Sequence, residues 1–304
     1  MTLSLGVMGF SEGNGHPYSF SAIVNGYDDA AFGRTDWDGI HTYLRARSPE
    51  DFGFAGVRVS SCWMPDATMA RRLASACGIK TVVAEPNDML GQIDAVMILR
   101  DDADSHWALA EPFLRAGIPV FVDKPLCADR SSLERFEPWL RTGLLMSCSG
   151  LRFAGETDDW RKRPEQFGEI RLIRGAVVMD WTRYGLHMLE AAMGALPGLR
   201  PVAIQRHAAS HESFSIRLEN GSLFLVDALG ETPKSFRLDV FGSKAHSSVE
   251  IGDNFTAFRR TIAAFIEQVR TGRPAIDPEQ TLLMVRTLIA GRNSQPGAGE
   301  ILID

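Results

Sequence analysis

The chain has 304 residues, about twice the length of an ordinary domain, so two domains are expected rather than one very large core. Hydrophobic residues at 45% and charged residues at 23% exclude collagen-like, coiled-coil and wholly disordered chains. With 32 Lys+Arg against 38 Asp+Glu the formal charge is -6, the wrong sign for neutralising phosphate backbones over a wide surface, which argues against nucleic acid as a partner.

No apolar run approaches the ~20 residues that cross a bilayer, and Met1 to Leu5 lacks the basic leader of a secretory signal. The expectation is a cytoplasmic protein that does not enter a membrane. Cys62, Cys77, Cys127 and Cys148 are scattered without a C-x-x-C pair, so they read as reduced, mostly buried thiols. His41, His207, His211 and His246 have no partners at ligand spacing, and no metal site is expected.

The first 127 residues alternate β-branched runs with helical stretches, the pattern of a doubly wound parallel sheet. Strands are expected at Ser4 to Met8, Gly56 to Ser61, Lys80 to Val83, Ala95 to Leu99 and Pro119 to Val122. Helices at Tyr18 to Asn25, Ala67 to Ala76 and Ser105 to Ala116 fill the gaps, the last two closed by Gly78 and Gly117. Residues of about 26–55 are longer than a β/α crossover needs and form an insertion: a lid, an oligomer contact or a packing embellishment.

Residues 128–304 read as an α+β domain with a mostly antiparallel open sheet. Ser131-Ser132-Leu133-Glu134 has capping-box spacing and opens a connecting helix to about Leu140. Phe214 to Leu218 and Leu223 to Val226 flank Asn220-Gly221, a strong hairpin signal, and Phe236 to Val240 adds a further strand. Phe255, Phe258, Ile262, Phe265, Ile266 and Val269 trace one helix face ending at Gly272. The cluster Arg161-Lys162-Arg163 reads as a solvated loop.

The first strand runs into Gly9-Phe10-Ser11-Glu12-Gly13-Asn14-Gly15-His16-Pro17. Glycines at a strand-to-helix turn let the backbone approach a pyrophosphate, and free N–H groups at the helix start attract its charge. The spacing is not G-x-G-x-x-G, so the turn alone leaves a ligand-free loop open. At the second strand the tip is Ser61-Cys62-Trp63 with no carboxylate, and Asp66 suits a helix N-cap, so NAD and NADP are not distinguished.

The segment Ile93 to His106, with Ala116-Gly117-Ile118-Pro119-Val120-Phe121-Val122-Asp123-Lys124-Pro125, resembles the Gfo/Idh/MocA family of nicotinamide-dependent oxidoreductases, whose fifth strand ends in Glu-Lys-Pro where this chain has Asp123-Lys124-Pro125. The resemblance runs on through Leu151-Arg152-Phe153, Gly168-Glu169-Ile170, Tyr184 to Glu190 and the helix opened by Asp277-Pro278. It implies a Rossmann domain with NAD or NADP, followed by an α/β domain that binds substrate and pairs subunits into a homodimer or homotetramer. It also implies that Lys124 binds the reacting hydroxyl or carbonyl, that Asp123 lies near the cofactor ribose and that His187 exchanges a proton with the substrate oxygen.

Gly9, Phe10, Ser11, Gly13, Asn14, Gly15, His16 and Arg100 complete the expected cofactor site, and Arg152, Arg183 and Tyr184 the expected substrate site. Placed on one helix, Arg183, His187 and Glu190 share a stripe. Many catalytically competent members of that family carry an aspartate four residues before the histidine, and here that residue is Arg183, which suits a substrate carboxylate or phosphate. The implied reaction is hydride transfer at a secondary carbinol of a sugar, sugar nucleotide or cyclitol; the alternative on the same fold is a non-catalytic dinucleotide-binding sensor.

Overall fold

A computed structural model describes residues 2–303, and the chain divides into two compact units. The first takes the chain up to Leu126, then Arg135–Ser147 and Phe258–Ile276. Its strands are β1 (Leu3–Met8), β2 (Val57–Trp63), β3 (Thr81–Val82), β4 (Ala95–Ile98), β5 (Val120–Val122) and β6 (Leu145–Ser147). They form one parallel sheet in the order β3-β2-β1-β4-β5-β6. Every residue of β4 and β5 is buried, as an unbroken apolar run requires when both faces of a sheet are covered.

The intervening helices are α1 (His16–Asn25), α2 (Asp29–Phe32), α3 (Asp38–Arg45), α4 (Ala67–Cys77) and α5 (Ala103–Arg115). Asp66 caps α4, accepting from the Thr68 N–H at 2.6 Å, and Gly78 closes it in the left-handed conformation at φ +61°. The insertion of residues 26–55 is α2, α3 and a short turn, and it is a packed layer. Its α2 lies against α4 and its α3 against α1. The Tyr43 hydroxyl meets Ser19 Oγ at 2.5 Å, Tyr27, Phe32 and His41 pack ring to ring, and Asp29 binds both Arg45 and His41.

The second unit comprises Cys127–Glu134, Cys148–Ala257 and the chain from Asp277 on. Connecting helix α6 (Arg130–Thr142) is capped by Asp129, whose carboxylate accepts from the Ser132 N–H at 2.9 Å, rather than by the Ser131 that its capping-box spacing suggests. Then come α7 (Asp158–Lys162), β7 (Ile170–Val177), α8 (Leu186–Ala195), β8 (Pro201–His207), β9 (Glu212–Leu218), β10 (Leu223–Ala228), β11 (Phe236–Gly242), β12 (His246–Glu250), α9 (Asn254–Thr271), α10 (Pro278–Asn293) and β13 (Ile301–Leu302). The sheet order is β12-β11-β7-β10-β9-β8-β13, antiparallel except where β7 meets β10. Gly221, at φ +83°, closes the β9–β10 hairpin with the Leu218 N–H on the Ser222 carbonyl at 2.9 Å. Trp181, Met188, Leu189, Phe214, Phe224 and Leu288 are part of the core of this unit.

A boundary at residue 127 is therefore only part of the division, because the first unit takes its sixth strand and residues 258–276 from later in the chain. Arg161 is also not in a solvated loop. It sits on α7 and donates to the carbonyls of Gly194 and Arg152 at 3.1 and 2.9 Å, giving backbone acceptors near the ends of short helical segments a partner.

Candidate active site

The glycine turn between β1 and α1 is pinned by two carboxylates from later strand ends. Ser11 Oγ donates to Asp101 and accepts from the Asp101 N–H at 3.0 Å, while Asn14 Nδ2 donates to Asp123 at 3.1 Å. Among the described residues, the backbone N–H groups of Phe10, Ser11, Glu12 and Gly13 donate to no protein acceptor. Gly13 has φ +79° and open space where a side chain would be. Unpaired donors around a glycine that leaves the backbone open fit the pyrophosphate of a dinucleotide.

Gly9 and Gly15 are glycines for a different reason: neighbours fill the space. A Cβ on Gly9 would lie 2.7 Å from Pro17 Cγ, and one on Gly15 would lie 2.6 Å from Trp37 Cε3 beneath Ile40. The insertion thus walls the start of α1. Gly15→Ala is expected to cost about 1–3 kcal/mol through overpacking, read as a lower urea midpoint, with Gly39→Ala on α3, where nothing lies within 4 Å, as a control without the clash.

Asp123 and Lys124 close β5, at the carboxyl end of a parallel strand where open α/β sheets bind ligands. Asp123 is only 2% exposed, and its oxygens are taken by its own unit. Oδ2 meets His16 Nδ1 at 2.5 Å and Asn14 Nδ2, and Oδ1 accepts the Lys124 N–H at 2.8 Å. Both oxygens of the carboxylate thus bond groups of the turn and of the strand end. Burial opposes its ionisation, but His16, Lys124 and Asn14 outweigh it and hold the carboxyl down at about 2.

A carboxylate with a depressed native pKa stabilises the fold above its ordinary value of 3.8 and loses that contribution as pH falls toward about 2. Asp123→Asn is therefore expected to unfold with less acid dependence than the parent between these values, measured as urea midpoints at several pH values. An equally steep decline in both would remove Asp123 as a source of acid sensitivity.

Arg100, also expected at the cofactor, and His106 are held by their own strand end. Arg100 donates through Nε and Nη2 to Asp102 at 2.8 and 2.7 Å, securing the start of α5. His106 is fully buried with its nitrogens on the carbonyls of Leu126 and Arg100, a structural position.

In the second unit, His187 is 9% exposed, and its Nδ1 lies 2.6 Å from Ser149 Oγ, which also accepts the Leu151 N–H at 3.1 Å. Tyr184 and Phe236 pack on the imidazole at centroid distances of 5.4 and 5.6 Å. Ser149 was not singled out in sequence; its signal is its place as a capping serine just before Leu151-Arg152-Phe153.

The shared stripe of Arg183, His187 and Glu190 does not form, because Trp181–Gly185 is a π-helical turn that changes the angular spacing ahead of α8. Arg183 is largely exposed and donates to Asp180 at 2.8 Å, while Glu190 is buried and accepts from Arg152 Nη1 at 2.6 Å. Arg152 also donates to Gln280. The expected substrate residue Arg152 is thereby committed to a buried ion pair, whereas Tyr184 remains against His187.

Residues 41–138 match the family model described as Oxidoreductase family, NAD-binding Rossmann fold, a span that begins after the glycine turn and includes Asp123-Lys124-Pro125. A search of curated proteins gave no match. Among solved structures, a myo-inositol dehydrogenase from Corynebacterium glutamicum is similar at TM-score 0.76 and 16% identity, covering 100% of this chain and 99% of that one. Myo-inositol 2-dehydrogenase from Lactobacillus plantarum is similar at TM-score 0.74 and 15% identity, with 100% of each chain covered. Scyllo-inositol dehydrogenase from Lactobacillus casei, with bound NAD(H) and scyllo-inositol, is similar at TM-score 0.76 and 14% identity, covering 100% and 99%. At such identities the likeness establishes a shared fold, and residues 41–138 match the NAD-binding Rossmann domain of the Gfo/Idh/MocA family of oxidoreductases.

Proposed function

We propose that the protein is an NAD-dependent dehydrogenase that exchanges a hydride with a secondary carbinol of a cyclitol or related sugar. The observation that carries this reading is the first unit's strand-end arrangement: unpaired N–H groups at a glycine turn, and a lysine at the carboxyl end of β5 held through Asp123 to that same turn. The bound nicotinamide supplies the hydride acceptor. The turn from Phe10 to Gly13 holds the pyrophosphate, and Lys124 orients and polarises the substrate oxygen; in the second unit the imidazole of His187 is oriented by Ser149 Oγ. The cyclitol class is supported by the inositol dehydrogenases that share the fold.

The test has two stages. NADH and NADPH are titrated by nucleotide fluorescence, and absorbance at 340 nm is then followed with NAD+ and myo-inositol, scyllo-inositol and common aldoses. Tighter binding of NADH and NADH formation with a cyclitol is the expected result. Tight binding without turnover of any polyol would instead identify a dinucleotide sensor, and absence of binding would reject both readings.

A further inference from the structure

Arg183, four residues before His187, is turned to Asp180. A carboxylate–imidazole pair is present elsewhere, wholly within the first unit. His16 opens α1 and its Nδ1 lies 2.5 Å from Asp123 Oδ2. The same carboxylate accepts the Lys124 N–H through its other oxygen, so the imidazole and the lysine share one anchor. Phe258 packs edge-on at 4.9 Å and Phe20 stacks at 5.6 Å, which fixes the plane of the ring. Among the described residues no protein group bonds His16 Nε2, and the side chain is 21% exposed while Asp123 is buried. A histidine with one nitrogen bonded to a buried carboxylate and the other open is the arrangement that general acid–base catalysis uses, because the carboxylate selects the tautomer and balances the imidazolium.

We propose that His16 is a catalytic acid–base of this protein, with Asp123 as its positioning residue. The proposal rests on the dehydrogenase reading. In the oxidation direction the O–H bond of the carbinol breaks as its proton passes to His16 Nε2, the C–H bond breaks as hydride passes to NAD+, and the carbonyl forms. The proton later leaves to water, so alcohol and NAD+ give ketone, NADH and one proton. The charged groups that bear on His16 are Asp123 and, across the same carboxylate, Lys124. From α1 and α9 it faces the rings of Phe20 and Phe258, and Arg259 beside Phe258 lies over Phe54 and donates to the Asp51 carbonyl.

The experiment compares His16→Gln, Asp123→Asn, Asp123→Glu and His187→Gln with the parent, using NAD+ with myo- and scyllo-inositol from pH 5 to 10 and NADH titration as a binding control. His16→Gln is expected to lower kcat by about 100-fold or more, with KM and NADH affinity within about threefold, and to abolish the acidic limb of the pH profile. Asp123→Asn should shift that limb and lower kcat, and Asp123→Glu, which keeps the charge, should recover most of the loss. An unchanged profile in His16→Gln while His187→Gln loses the limb overturns the proposal and leaves the dehydrogenase reading standing. So does a loss of NADH affinity that matches the loss of kcat, which would make His16 a binding residue. Should His16→Gln fail to fold, an unaltered profile in folded Asp123→Asn is equally fatal. A parent that binds NADH and oxidises neither inositol overturns the dehydrogenase reading and this proposal with it.

Discussion

Lys124→Ala lowers kcat/KM for the polyol by about 100-fold or more while NADH binds within about threefold of the parent: this is the result expected if the amine holds the reacting oxygen. The backbone supports so clean an outcome. The Lys124 N–H donates to Asp123 Oδ1 at 2.8 Å, a bond that alanine keeps, and the buried strand β5 lies before the substitution. Asp123 loses the electrostatic help of the ammonium, but His16 is the larger of the two charged influences and remains. Lys124→Arg should not rescue the loss, since a planar guanidinium presents its donors in a different place from a compact ammonium. Full activity in Lys124→Ala would reduce the lysine to a structural role and remove the main support for the proposed chemistry.

The sequence was informative where the physical signal is local. Val96, Met97 and Ile98 in β4 and Val120 to Val122 in β5 are continuous apolar runs, and burial on both faces of a parallel sheet is what such runs need. Asn220-Gly221 marked its hairpin because a tight turn there needs a positive φ. β7 was harder to see: Gly175 interrupts it, and its reason is tertiary, since Met188 Cβ and Phe224 Cε2 stand 3.3 Å from where a Cβ would be. Helical spacing also misled at Arg183, because one π turn rotates it away from the register of α8, and nothing in Trp181 to Gly185 announces that turn.

The candidate site divides along the same line. The glycine turn and Asp123-Lys124-Pro125 are local strings and were legible. His16 and Asp123 are 107 positions apart, so their pairing follows only from β1 and β5 belonging to one sheet and ending on the same side. Arg152 pairs with Glu190 across 38 positions and with Gln280 across 128, so an arginine expected at the substrate site neutralises a carboxylate of its own unit.

That ion pair gives the largest expected stability effect. Arg152 is 8% exposed and Glu190 1%, and Gly194 packs so closely on the arginine that a Cβ there would lie 2.7 Å from Arg152 Cγ. Burial raises the pKa of the Glu190 carboxyl, with Arg152 opposing the rise. Arg152→Ala removes the counter-charge and should cost about 3–5 kcal/mol, read from urea unfolding followed by the fluorescence of Trp160 and Trp181. Adding Glu190→Gln removes the stranded charge, so the double variant should be more stable than Arg152→Ala alone. The pH dependence carries its own sign. A carboxyl whose native pKa lies above its unfolded value binds protons more tightly when folded, so the deficit of Arg152→Ala should grow as pH rises through the native pKa and shrink in acid. An Arg152→Ala variant of undiminished stability with a raised KM for the polyol would mean that the guanidinium serves the substrate and that its bond to Glu190 is incidental.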